Sequence, residues 1–253
     1  MLSAPLAMRT LLAIWTWLAF AVVSAIGFIL VGTVFLVIWP FDKNRRFTGR
    51  AIHTVGVLMI RAVPAWRVRV EGPLPQTLPE RCVCVSNHVS NLDPFLLAFL
   101  PWEMKFLAKS VLFRIPFVGW GIGIAGDIPL VRGSARSIKR AMVRCANYVR
   151  GGMPVLIFPE GTRSTSSELL PFKDGAFRLA ILERAHVLPL AVVGTEKALP
   201  KDDWRPAPAQ AVVTAGTPIS TEGMTLSDLP ALKARVREEI ERLRARIRPL
   251  ANR

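Results

Sequence analysis

Histidine, cysteine and acidic residues are scarce in this chain, and each shortage narrows its chemistry. The three cysteines, Cys82, Cys84 and Cys145, form no Cys-x-x-Cys pair, which removes zinc-ribbon and thioredoxin-type readings. Cys82 and Cys84 stand two apart in a strand-like run and would share one face; small buried thiols in a reducing compartment are the expectation. Zinc-finger spacing and the aromatic motif of RNA-recognition domains are absent. No Gly-Lys-Ser/Thr occurs, and Gly119, Gly121, Gly123 and Gly126 are wrongly spaced for a dinucleotide fingerprint. Only His53, His88 and His186 can be weighed as a histidine base. Asp and Glu number 18 against 33 Lys and Arg, a formal charge of +15. That excess suits an anionic partner, and a mean hydropathy of +0.37 turns the expectation from nucleic acid toward acidic lipid or phosphorylated substrates.

Charge itself is missing from Thr10 through Phe41, between Arg9 and Asp42, and Trp15, Trp17 and Trp39 lie near the ends of this run. A membrane span needs about 20 apolar residues. The run is too long, and lacks the small-residue cleavage site, for a removed signal peptide. Three readings stand: a tilted span that bends at Gly27 or Gly32, a helix dipping into one leaflet, and a buried helix of a soluble protein. Arg9 on one side and Lys43, Arg45 and Arg46 on the other leave the orientation undetermined. Residues 50–63 read as a second apolar helix ended by Pro64, lying at the interface. His53 falls on it with no carboxylate near in sequence, so a polar contact within the helical pair is expected. Residues 1–64 therefore form a membrane-associated helical pair and residues 65–253 an α/β domain. At 253 residues the chain can bury one good core.

Short apolar runs then alternate with helical patterns. Strands are predicted over 66–70, 81–86, 105–109, 128–131, 154–158, 187–193 and 211–215. Helices are predicted over 95–100, 134–150, 176–185 and from 227, with Leu229, Leu232, Val236, Ile240, Leu243 and Ile247 forming the apolar stripe of the last. Residues 111–120 are apolar but broken at Pro116, and read as a short helix or turn: an acyl-chain wall or ordinary core. Polar loops are expected at 164–167 and 196–210. Seven strands alternating with helices predict an α/β fold with a mostly parallel or mixed sheet flanked by helices.

One polar stretch, residues 87–94, sits between the strand ending near Val85 and the helix after Pro94. His88 and Asp93 would be about 140° apart on a helix, so only a loop pairs them. There Asp93 would cap the helix that Pro94 opens, and its carboxylate could hold the His88 ring after it takes a proton from a hydroxyl. The plainer alternative is an Asp that only caps and a His that only closes a turn. A second polar stretch, Pro159 to Ser164, follows the apolar strand 154–158. Arg163 offers a fork suited to phosphate, Gly161 allows close backbone approach and Thr162 can donate a hydrogen bond. Glu160 would receive a substrate hydroxyl or hold Arg163. His186, with no carboxylate in a nearby loop, reads as a strand-edge histidine.

His88, Asp93 and the run Phe158-Pro159-Glu160-Gly161-Thr162-Arg163-Ser164 resemble the first and third signature blocks of the glycerolipid acyltransferases, most of all the bacterial 1-acyl-glycerol-3-phosphate acyltransferases. Gly126 to Arg132 resembles the second block and Val187 to Leu190 the fourth, so the resemblance covers roughly residues 80–195. It implies transfer of an acyl group from acyl-CoA or acyl carrier protein to the sn-2 hydroxyl of lysophosphatidic acid, forming phosphatidic acid. It further implies catalysis by His88 and Asp93, and acceptor binding by Arg132, Glu160, Gly161, Thr162 and Arg163. Lys105 and Lys109 are the secondary candidates for the phosphate. No metal, cofactor, nucleic acid or covalent acyl-enzyme is implied. A bacterial member would attach to the inner membrane with its catalytic domain on the cytoplasmic side. The competing expectations are an acyltransferase acting on another lysolipid, such as a lyso-aminolipid, and a non-catalytic protein that binds acidic lipid.

Overall fold

A computed structural model describes residues 6–164, 168–196, 198–199 and 204–252. The polar loop expected at 164–167 lies outside these residues beyond Ser164, as do parts of the loop expected at 196–210. Among the described residues the chain runs α1 (Leu6–Ile38), α2 (Arg46–Arg61), β1 (Trp66–Val70), β2 (Cys82–Ser86), α3 (Asp93–Leu97), β3 (Lys105–Lys109), α4 (Val118–Ile124), β4 (Ile128–Leu130), α5 (Ala135–Arg150), β5 (Val155–Ile157), α6 (Gly175–Leu182), β6 (His186–Val193), β7 (Ala209–Ala215) and α7 (Leu229–Ile247). Each predicted strand is present. The strands form one sheet in the order β1-β7-β6-β2-β5-β3-β4. The pairs are parallel except β6 with β7, so the sheet is mixed.

Strand periodicity divides the core between the two faces. Val83 and Val85 of β2 pack with Cys145 and Val149 of α5, Phe177 of α6, and Val236 and Ile240 of α7. Cys82 and Cys84 point the other way, toward Ile60 of α2 and Leu96 and Leu97 of α3. Their sulfurs are 4.0 Å apart, and both remain buried free thiols. Each large apolar side chain buried in this way contributes about 1.5–3 kcal/mol. The carboxyl ends of β2, β3, β4, β5 and β6 reach one edge of the sheet, where α/β proteins keep their chemistry.

One helix is shorter than expected, and another carries a glycine cluster. The helix predicted at 95–100 is the single turn α3, which starts at Asp93. Residues 111–120, expected as a short helix or turn, hold most of a 3-10 turn (Ser110–Arg114) and the start of α4, which continues through Gly121 and Gly123. A Cβ at Gly119 would overlap the Leu112 carbonyl, so the glycine lets α4 close on the preceding 3-10 turn. Packing here overrides a poor helix propensity.

Helix α1 does not project from the domain. The Trp15 indole donates to the Ala62 carbonyl at 2.8 Å, and Phe20 lies edge-on to Trp66. Gly27 abuts Val55, Phe28 meets Phe117 and Trp120, and the Arg45 guanidinium covers Phe35. These contacts run along α1 in antiparallel register with α2. The outer side of α1 is a sheath of exposed Leu11, Ile14, Leu18, Val22, Ile26, Ile29 and Val37. Phe47, Leu58, Leu112 and Trp120 add exposed apolar side chains on α2, the 3-10 turn and α4. Helix α1 is also long and apolar enough to cross a membrane.

Candidate active site

The loop after β2 brings His88 and Asp93 together. His88 Nδ1 lies 2.8 Å from Asp93 Oδ2. The same oxygen accepts the N–H groups of Val89 (2.7 Å) and Ser90 (2.8 Å), and Oδ1 accepts the Thr195 hydroxyl at 2.6 Å. Asp93 is fully buried. The expectation that it caps its helix is incorrect: Leu92 is the N-cap residue, and the carboxylate folds back to organise residues 88–90. With three other donors already on this carboxylate, Nδ1 is the fourth and carries the proton. That leaves Nε2 as the nitrogen with the lone pair, and it has no partner among the described residues. Phe158, at the end of β5, stacks on the imidazole with ring centres 4.1 Å apart.

The second polar stretch, Pro159 to Ser164, is bound to this loop on both sides of His88. Glu160 Oε1 accepts the His88 N–H at 2.8 Å, and the Ser164 N–H donates to the His88 carbonyl at 2.8 Å. The other Glu160 oxygen accepts the Leu170 N–H at 3.0 Å. Burial pushes the Glu160 carboxyl up, against the opposing pull of those two N–H groups and the nearby His88 and Arg244. Glu160 is thus placed differently from the expectation that it receive a substrate hydroxyl or hold Arg163: both oxygens are committed to backbone. Arg237 of α7 supports this brace by donating to the Leu169 and Leu170 carbonyls, each at 2.8 Å.

Around this centre the other predicted residues scatter. Gly161 adopts a left-handed conformation, φ +70°, that favours glycine. Thr162 is exposed and Arg163 half-buried in the same turn. Arg132 is exposed just after β4. β4 and β5 are not adjacent, because β3 lies between them. Two strand spacings, about 10 Å, therefore separate the starting points of Arg132 and Arg163. Lys109 ends the intervening strand and is exposed. Lys105 is a correction: it is fully buried, with its ammonium 2.7 Å from Glu103 and 2.8 Å from the Arg45 carbonyl, and cannot meet a phosphate in this arrangement. His186 begins β6, paired with Cys82 at the opposite end of β2 from His88.

His53 belongs to a separate buried cluster. Its Nδ1 lies 3.1 Å from Glu103 and its Nε2 3.2 Å from Asp127, and the ring stacks on Phe106. Burial pulls its pKa down, but the two carboxylates outweigh that and hold it up at about 9. The carboxylates, 50 and 74 residues away, were invisible to the expectation of a contact within the helical pair. Sequence reasoning also missed Phe158 as a ring partner, Thr195 on Asp93, and Asn87, whose amide bonds the Val192 backbone in both directions at 2.9 Å. The available signal was topological: β6 is a parallel neighbour of β2, so Thr195 emerges beside His88. Among the described residues no group of three or more His, Cys, Asp or Glu side chains is arranged to hold a metal ion.

Comparison with known proteins gives this geometry a context. Residues 67–193, half of the chain, match the Acyltransferase family. The chain is 38% identical over 165 residues to a chloroplastic 1-acyl-sn-glycerol-3-phosphate acyltransferase of Brassica napus, covering 63% of this chain and 46% of that one. It spans about half the length of such plastid relatives. It is 28% identical over 250 residues to the 1-acyl-sn-glycerol-3-phosphate acyltransferase of Pseudomonas aeruginosa, covering 97% and 96% of the two chains. The crystal structure of the 1-acyl-sn-glycerophosphate acyltransferase of Thermotoga maritima shares the fold, with a TM-score of 0.77, 24% identity, and coverage of 95% and 98%.

Proposed function

Because the chain belongs to the acyltransferase family, we propose that it transfers an acyl group from a thioester donor, acyl-CoA or acyl carrier protein, to the sn-2 hydroxyl of 1-acyl-glycerol-3-phosphate, yielding phosphatidic acid. The observation that carries this is the 2.8 Å contact between His88 Nδ1 and Asp93, with Nε2 left without a partner among the described residues. In this reading Nε2 takes the proton of the acceptor hydroxyl as its oxygen attacks the thioester carbonyl. The tetrahedral intermediate collapses, the C–S bond breaks, and the departing thiolate receives the proton from Nε2. Asp93 stabilises the imidazolium between these steps. Arg163 and Arg132, with Lys109 between their strands, would draw the acceptor phosphate to the same sheet edge.

Membrane attachment belongs to the same proposal. A spanning α1 would carry α2 and α4, packed along it, into the bilayer. An α1 lying in one leaflet buries the apolar sheath and keeps the domain at the surface. Phe20 of α1 meets Phe95, two residues after Asp93, at 6.5 Å between ring centres, which links the anchor to the helix that carries the pair. In a bacterial cell this surface would be the cytoplasmic face of the inner membrane.

The test is an acceptor panel with one labelled acyl donor. Lysophosphatidic acid should lead by at least about tenfold in kcat/KM, or ~1.4 kcal/mol. Preference for glycerol-3-phosphate, lysophosphatidylcholine or a lyso-aminolipid overturns the assignment. Cysteine labelling from each side of a vesicle tests the one-leaflet arrangement, which fails if α1 ends on opposite sides.

A further inference from the structure

Lys173 stands ten residues beyond Arg163 in the chain, yet it is bound into the same turn. Its backbone N–H donates to the Pro159 carbonyl at 2.8 Å. Its side chain runs over Gly161: a Cβ built there would lie 2.7 Å from Nζ, 2.8 Å from Cε and 3.1 Å from Cδ. Gly161 thus provides both the left-handed turn and the room for the lysine stem. A surface lysine ordinarily keeps its rotamer freedom. This one has its backbone tied to the turn and its stem laid along it. Its ammonium makes no hydrogen bond or ion pair among the described residues. The neighbouring Asp174 does not neutralise it, being engaged by Lys233 at 2.7 Å. Glu160 is buried and held by backbone N–H groups. A positive charge is left over the turn that presents Thr162 and Arg163.

We propose that Lys173 is an acceptor-binding residue, its ammonium over Gly161 forming with Arg163 a two-cation clamp for the acceptor phosphate. The pair is chemically complementary: a planar fork takes two phosphate oxygens, and a compact ammonium takes the remaining charge. The clamp is also registered to the base. Lys173 bonds Pro159, and the adjacent Glu160 bonds the His88 N–H, so the phosphate end and Nε2 are set by one continuous stretch of backbone. This inference rests on the phosphate-bearing acceptor proposed above. The same phosphate chemistry is present in acyl-CoA and in the pantetheine arm of a carrier protein, so the experiment separates acceptor from donor.

K173M keeps the stem over Gly161 and removes the charge; K173R restores a charge. With lysophosphatidic acid, K173M should raise the acceptor KM about tenfold while kcat and the donor KM stay within about twofold. K173R should return the acceptor KM to within about threefold of wild type. With a 1-monoacylglycerol, which lacks the phosphate, wild type and K173M should have equal kcat/KM. Several results would overturn the proposal: an unchanged acceptor KM in K173M, a rise in donor KM instead, or a fall in kcat that K173R does not rescue. In each of these cases wild-type turnover of lysophosphatidic acid leaves the acceptor assignment intact, whereas no such turnover by wild type brings down both.

Discussion

Two buried histidines in this protein share nearly the same surroundings and differ in one atom. His88 and His53 each face a carboxylate through Nδ1, at 2.8 and 3.1 Å, and each stacks on a phenylalanine, at 4.1 and 4.5 Å between ring centres. At His53 the second nitrogen is also taken, by Asp127, and Lys105 joins the cluster through Glu103. Two cations and two carboxylates form a closed set that ties α2 to the loops before β3 and β4. At His88 the second nitrogen has no partner among the described residues. A histidine is available for proton transfer when its partners stop at one nitrogen; fill both, and it becomes a charged brace.

Exchanging what each histidine can do gives the largest contrast. His88→Ala should lower turnover about 10²–10⁴-fold with little change in thermal stability, read by steady-state kinetics beside a melting curve. His53→Ala should do the reverse. Removing one partner of a buried charge set costs about 3–5 kcal/mol in denaturant unfolding, while the folded fraction keeps a kcat near wild type. If the two variants show the same profile, the distinction drawn from the second nitrogen is wrong.

Glu160→Gln sharpens the comparison at an intermediate scale. One amide oxygen can still accept a backbone N–H, but the amide nitrogen cannot. One buried donor, of His88 or Leu170, is orphaned at a cost of about 1–3 kcal/mol. Unfolding measurements should show that loss, with acceptor KM unmoved. A last contrast is in pH dependence. The folded value of His53, about 9, lies above the ordinary 6.5. Its contribution to stability is therefore complete below about pH 6.5 and is lost as pH rises through about 9. Wild-type Tm should fall over that window by roughly 2–4 °C per kcal/mol lost, and His53→Gln should flatten the slope.

What the sequence made legible was whatever is local or periodic. Strand β5 is a continuous apolar run bounded by Gly152 and Pro159, and His88 and Asp93 share one loop, so both could be read without a fold. Helix α7 announced its buried stripe from Leu232 to Ile247, though the buried Arg244 within it did not fit the pattern. The missing pieces are long-range. Thr195 reaches Asp93 across 102 residues, and the carboxylates of His53 come from two other loops. Strand order was equally hidden: no periodicity says that β3 inserts between β5 and β4, which is why the arginines after those two strands stand further apart than parallel neighbours would place them. Helix α4 was obscured for a different reason, since its glycines argue against a helix until the close approach they permit is seen.

The bonds on either side of His88 also have a meaning in time. Its N–H is held by Glu160 and its carbonyl by Ser164, residues more than seventy positions downstream. A chain emerging from the ribosome carries His88 and Asp93 long before it carries their clasp. Closing so long a loop is a slow, late step relative to local helix formation. Asp93 can organise the loop locally, but Phe158 against the ring and the Glu160 and Ser164 bonds to the His88 backbone arrive only with β5 and the turn after it. Entry of β5 into the sheet and the clasping of the His88 backbone are thus coupled, and Thr195, which follows β6, reaches Asp93 only later still.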